Sequence, residues 1–275
     1  MCNPFFPVSN SQICTWIQSE RMPCRIASSC IVYARVNFSV PTVVQQLQLQ
    51  SIVEAVKISK IIEKAQLVPQ KIPIVAFDKK YVHEKPIILT LARDGFHNQS
   101  YKYSIKNLIN NQRVFEMLGH TVVMLKETLY DVTDNHPISN FKQALMKIRF
   151  GINVYHGGDS DNFLCQFDFN AEFSGIKVKG TFINQENNEK VHLVMVGDNR
   201  FQNAMVFIGD PEKGGEAIMR ICRGLPTDYQ GSDLEFKGYV LEVAPGVDIS
   251  MMVTFCLSVL QYRSFNIGKK RMGPR

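Results

Sequence analysis

Ile249–Arg263 reads ISMMVTFCLSVLQYR, with no Gly, no Pro and no charge before Arg263. At the 3.6-residue period of a helix its apolar residues leave no polar side, and a helix apolar all round has to be hidden all round. The breaks are Ser250, Thr254 and Ser258, which form one narrow stripe. Hydroxyls at that spacing can bond the carbonyl one turn back, which makes them cheap to bury. Fifteen residues at about 1.5 Å each span roughly 22 Å, the height of a small barrel. A membrane-spanning helix needs roughly 20 apolar residues. Just before the helix, Ala244–Asp248 (APGVD) forms a turn that offers Asp248 as N-cap.

The container is sought upstream. Ile148, Phe150, Ile152 and Val154 alternate with Lys147, Arg149 and Asn153, and Phe163, Cys165, Phe167 and Phe169 alternate with Gln166 and Asp168. Ile176 and Val178 oppose Lys177 and Lys179 in the same way. Further runs at Ile87–Ala92, Lys102–Ile105, Arg113–Met117, Gly119–Lys126, Ile138–Phe141, Val191–Val196, Ala204–Ile208, Ala217–Arg223 and Leu234–Val243 bring the count to about a dozen short strands. Asp94-Gly95 and Asn110-Asn111 read as turns between them. Such spacing fits a sandwich or a barrel. A barrel closed around the helix would remove every strand edge and hide the helix from water; a sandwich with the helix packed on it is the plainer alternative.

Residues 1–72 have another texture. Residues 1–42 show no sustained period, and Arg21, Arg25 and Arg35 against Glu20 alone leave two readings, an organelle transit peptide or an unstructured leader. Val43–Gln66 lacks Gly and Pro and places Ile52, Val56, Ser59, Ile62 and Ala65 at helical spacing, an amphipathic helix that Pro69 and Pro73 end.

The seven cysteines are odd in number and contain no CxxC pair, which argues against a disulfide framework and a zinc site. Cys165, Cys222 and Cys256 sit in apolar segments as small hydrophobes, which suits a reducing, intracellular compartment. Net charge is +6, and removing Lys269, Lys270, Arg271 and Arg275 leaves +2 for the rest, so the body is only mildly basic.

Several stretches together resemble the LURP-one-related family: Tyr155–Ser160 (YHGGDS), Lys177–Gly180, Tyr239–Asp248 (YVLEVAPGVD) running into the apolar helix, Pro73–Val75 with Ile87–Leu91 as opening strands, and Val114–Leu125. The resemblance covers about 73–265. It implies a Tubby-like α+β fold, a closed antiparallel barrel of about twelve strands around a buried C-terminal hydrophobic helix, shared with Tubby proteins and phospholipid scramblases. It also implies a link to phosphoinositides through Tubby relatives, and to defence signalling through some plant members. Residues 1–72 have no counterpart in that family, and the Gly209–Gly215 and Gly224–Ser232 connections are longer than its pattern.

Chemistry is sparse. There is no GxSxG, HExxH or P-loop, and Gly209–Gly215 (GDPEKGG) lacks the GK[ST] end and reads as a hairpin loop. His156 with Asp159 and Asp161 could ligate a hard cation, but two glycines and a serine beside them suit a tight turn. No catalytic residue, cofactor or metal is expected, and nucleic acid is not an expected partner. The expected site is cationic: Lys147 with Arg149, and Lys177 with Lys179, each on one strand face, to meet anionic phospholipid head groups.

These readings lead to three segments: an extension over 1–72, a barrel domain over 73–265 and a basic tail over 266–275. The expected function is a non-enzymatic lipid-binding or scaffolding module, cytoplasmic and peripheral to the membrane. The alternatives are a soluble interaction module that uses the Val43–Gln66 helix, on a partner or on the barrel itself, and a scramblase-like protein.

Overall fold

Period-two alternation turns one side of each strand inward and the other outward. Here twelve antiparallel strands close into a ring. They are β1 (Ile87–His97), β2 (Ser100–Asn107), β3 (Arg113–His120), β4 (Lys126–Asp131), β5 (Pro137–Gln143) and β6 (Gly151–His156), followed by β7 (Phe163–Glu172), β8 (Gly175–Ile183), β9 (Lys190–Gly197), β10 (Asn203–Ile208), β11 (Glu216–Arg223) and β12 (Tyr239–Val243). Each pairs with its neighbour in sequence, and β1 meets β12 from Ile87↔Val243 to Leu91↔Tyr239, which removes the last edge. The computed structural model describes residues 43–97, 100–120, 126–143, 151–172, 174–224 and 238–271. One unit runs from Gln50 to Arg275 and holds every described strand; of the other, which ends at Leu49, only the start of a helix is described.

The helix α2 (Ile249–Arg271) fills the ring. Every residue from Ile249 to Gln261 is buried, and ten of the thirteen are no more than 1% exposed. Phe255 packs on Phe167 of β7 with ring centroids 4.4 Å apart. The hydroxyl stripe is satisfied in three different ways. Ser258 bonds the Thr254 carbonyl one turn back at 2.8 Å, as the spacing predicts. Thr254 instead reaches Ser139 of β5 at 2.9 Å, and Ser250 donates to Asp248. Helical hydrogen bonding continues past the expected end at Arg263 to Arg271, because apolarity marks where burial stops and not where the helix stops. At that end Tyr262 stacks on Phe169 at 4.6 Å, and Arg263 donates to the Arg200 carbonyl.

Asp248 caps α2 as expected and does more. Its Oδ1 accepts from the Ser250 and Met251 amides at 2.9 and 3.3 Å, while its Oδ2 accepts from Ala76 and Phe77 at 3.1 and 2.8 Å. Residues 73–82 thus form a strap across the helix N-terminus. The strap is tied further by Val75 to the Asn184 side chain and by the Tyr81 hydroxyl to Asp131. Pro73–Val75, expected as an opening strand, makes only an isolated bridge at Ile74↔Val247.

Two other expectations shift. The dipeptide Asp94-Gly95 is a bulge inside β1 and not a turn, since the register with β2 slips between Arg93 and Gly95. Of the expected strand Gly119–Lys126, residues 121–125 lie outside the described residues, Gly119 and His120 end β3, and Lys126 begins β4 (Lys126–Asp131, KETLYD). Its inward residues include Glu127 and Asp131, so the apolar side of the alternation is broken by buried carboxylates. Asn111, with φ of 55°, makes the expected turn between β2 and β3.

The C-terminal half of α1 (Val43–Lys64) lies outside the ring. Ile61, Ile62, Ala65 and Leu67 pack on Val194, Val196, Met205, Phe207 and Ala217 of β9–β11. Ile58, only 7% exposed, is the deepest residue of the helix, one position from the Ser59 of the expected face.

Candidate functional site

The outer face of β4–β8 carries the cations. Lys177 and Lys179 share the outer side of β8, as the alternation predicts. Lys179 lies opposite Asp168 of β7, and Asp168 opposite Gly151, the first residue of β6. Lys147 and Arg149 precede β6 in the sequence and lie outside the described residues. Asp210, on the turn after β10, feels Lys177 and Lys179 as well. Its carboxyl is held below the ordinary value first by the Glu212 amide and then by Lys177, Lys213 and Lys179. The two lysines of β8 therefore face partial neutralisation.

A second pair is set by register. Lys126 of β4 and Lys142 of β5 are direct cross-strand partners, a placement in which like charges repel. Neither joins an ion pair among the described residues. Elsewhere on the surface cations do find acids: Lys102 and Arg113 meet Glu116, and Lys79 meets Glu186. Lys126 donates to the Gly158 carbonyl at 2.9 Å and Lys142 to the Ser160 hydroxyl. These acceptors belong to the turn after β6, which Asn140 holds over the outer face by donating to the Gly157 and Asp159 carbonyls. Gly157 takes φ +73°, the left-handed region a glycine adopts freely. The same turn carries Asp159 and Asp161, which limit the positive potential around the pair.

His156 does not turn toward those aspartates. Its Nε2 lies 3.2 Å from the Phe77 carbonyl, which ties β6 to the strap. Among the described residues no group of three His, Cys, Asp or Glu is placed to hold a metal ion. Gly209–Gly215 is the hairpin connection expected, with Asp210 accepting the Glu212 amide ahead of a short 3-10 turn.

Glu127 on the inner face is a titratable group that sequence reasoning missed. Glu127 is 1% exposed, and Tyr101 donates its hydroxyl to Oε1. Oε2 has no hydrogen-bond partner among the described residues. Gly119 lies between the two in register, and a Cβ there would come within 2.5 Å of the Tyr101 ring. Burial pushes the Glu127 carboxyl up to about 8 from 4.5, against the Tyr101 hydrogen bond and the Arg93 charge, which both pull it down. The folded state then holds this proton more tightly than the unfolded state. Its stabilising contribution is complete below pH 4.5 and is lost as pH rises through about 8. Glu127→Gln is expected to flatten that part of the profile in urea titrations at pH 5 and pH 9. The difference from wild type should reach a few kcal/mol, at about 1.4 kcal/mol per pKa unit. Equal slopes for the two chains would show that Glu127 titrates as it does in water.

No described helix is long and apolar enough to cross a membrane. A family model described as LURP-one-related matches residues 87–259, from the first residue of β1 into the buried part of α2. No curated protein and no solved structure matches the chain.

Proposed function

The chain belongs to the LURP-one-related family, and from that premise we propose a non-enzymatic Tubby-like module that binds anionic phospholipid head groups, phosphoinositides among them, on the cytoplasmic side of a membrane. The observation that carries the proposal is the opposed pair Lys126 and Lys142, which has no carboxylate partner among the described residues. Repulsion between them is relieved when a phosphate comes between, and Lys meets it as a point charge. Lys177 and Lys179 add two cations on the outer side of β8, and Lys147 and Arg149, outside the described residues, are the other cations the reading assigns to the head group. Attraction of about 1 kcal/mol per basic residue near an anionic surface suffices for reversible, peripheral attachment.

Co-sedimentation with phosphatidylcholine vesicles, with and without phosphoinositide, tests this. The wild-type chain is expected to pellet only with the anionic vesicles. Lys126→Ala/Lys142→Ala is expected to weaken binding about thirtyfold, two cations at about 1 kcal/mol each. Lys177→Ala/Lys179→Ala should weaken it less, because Asp168 and Asp210 already offset those charges. Equal binding to neutral and anionic vesicles, or no loss in the first variant, would sink the reading.

A further inference from the structure

With the ring closed and α2 inside it, the barrel interior is complete, yet β9–β11 also present apolar side chains outward. Val194, Val196, Met205, Phe207 and Ala217 are all buried, and it is α1 that covers them. The seat has shape as well as apolarity. At Gly175 a Cβ would come within 2.5 Å of the Gly197 carbonyl oxygen and 2.7 Å of the Ile58 side chain, so the glycine leaves a notch that Ile58 fills. At its rim Glu212 pairs with Lys57 at 2.8 Å, one position before that knob.

The occupant sits shallowly. Ile58 is the only fully buried residue of α1 among those described; Ile61 and Ile62 are partly buried. The Lys57–Glu212 clamp is open to water on both sides, where ion pairs hold weakly. The seat also lies wholly inside the family-matched stretch 87–259, whereas the helix filling it lies outside. A groove of the barrel is thus filled by an appended segment.

We propose that the outer seat on β9–β11 is a docking site for an amphipathic helix of a partner protein, and that α1 fills it as a displaceable internal substitute. The partner helix carries an Ile- or Leu-sized knob for the notch at Gly175, apolar residues three and four positions later, and a basic residue just before the knob to reach Glu212. This is the helix-in-groove mode of peptide recognition, with the internal helix lowering apparent affinity by the fraction of time it is bound.

A labelled peptide of residues 50–68, used as the probe helix, is titrated against the full chain, against Ile58→Asp and against Ile58→Asp/Val196→Glu. The Ile58→Asp chain cannot fill its own notch and is expected to bind the peptide at least tenfold more tightly than wild type. Adding Val196→Glu, on the floor of the seat, should abolish that gain. Lys57→Glu, which sets α1 against Glu212 without touching the core, should give a smaller gain in the same direction. Absence of a gain in both Ile58→Asp and Lys57→Glu overturns the proposal. A wild-type chain that runs as a dimer in light scattering, and binds the peptide only on dissociating, would seat the helix of a second copy and also overturn the assignment to a partner.

Discussion

A chain with Asp at position 253 is expected to lose a third or more of its unfolding free energy and to melt far below the wild-type midpoint. Val253 is 0% exposed, and the neighbours of its helix on every side are inner faces of strands. No cation lies among the buried residues of α2 from Ile249 to Gln261 to pair with a carboxylate there. Leaving an uncompensated charge in such a place costs on the order of 5 kcal/mol, against a total domain stability of about 5–15 kcal/mol. Val253→Ala, which removes only apolar volume, should cost about 1–3 kcal/mol and lower the midpoint less. Far-UV circular dichroism on heating separates the two. A Val253→Asp chain melting near the wild-type midpoint would mean that α2 has access to water.

The second large effect is expected at Asp248. Its carboxylate accepts four backbone amides and the Ser250 hydroxyl, two amides from the strap and two from α2. Asp248→Ala leaves all these donors buried without an acceptor. At about 1–3 kcal/mol for a buried donor left unmade, the combined loss should be about 4 kcal/mol or more. Asp248→Asn is more informative. The amide keeps one oxygen, which can still accept from Ser250 and Met251, while its NH2 faces the Ala76 and Phe77 amides as a donor. Hydrogen exchange is expected to show amides 76 and 77 losing protection while 250 and 251 retain it. Equal loss at both places would mean that the strap and the cap do not depend on separate oxygens.

How much of this was legible in the sequence depends on what each feature rests on. The plug was legible because a helix apolar on every side has only one physical resolution, and the outward face of Lys177 and Lys179 followed from period-two alternation within one strand. β4 was not legible, because Glu127 and Asp131 occupy inward positions that the alternation rule reserves for apolar side chains. The pairing of Lys126 with Lys142 could not be read from either strand alone. It follows from the β4–β5 register, which includes a slip between Leu129 and Tyr130. The notch at Gly175 is likewise a product of assembly: the Gly197 carbonyl and Ile58 meet it from different parts of the chain. The seated face of α1 was approximated, but helical periodicity alone favoured Ser59 over Ile58.

The place of α2 in the order of the chain has a kinetic consequence. It follows all twelve strands, yet it is the object on which their inner faces pack. β1 cannot complete its pairing until β12 is made, and the amide of Ala76 waits for a carboxylate 172 residues later. Loop-closure entropy is therefore spent over long separations before the contacts that reward it exist. Nascent strands have no finished core to join, so apolar inner surfaces stay open until the last segment threads between them. Folding is expected to be slow and concerted, with the plug's arrival as the committing step.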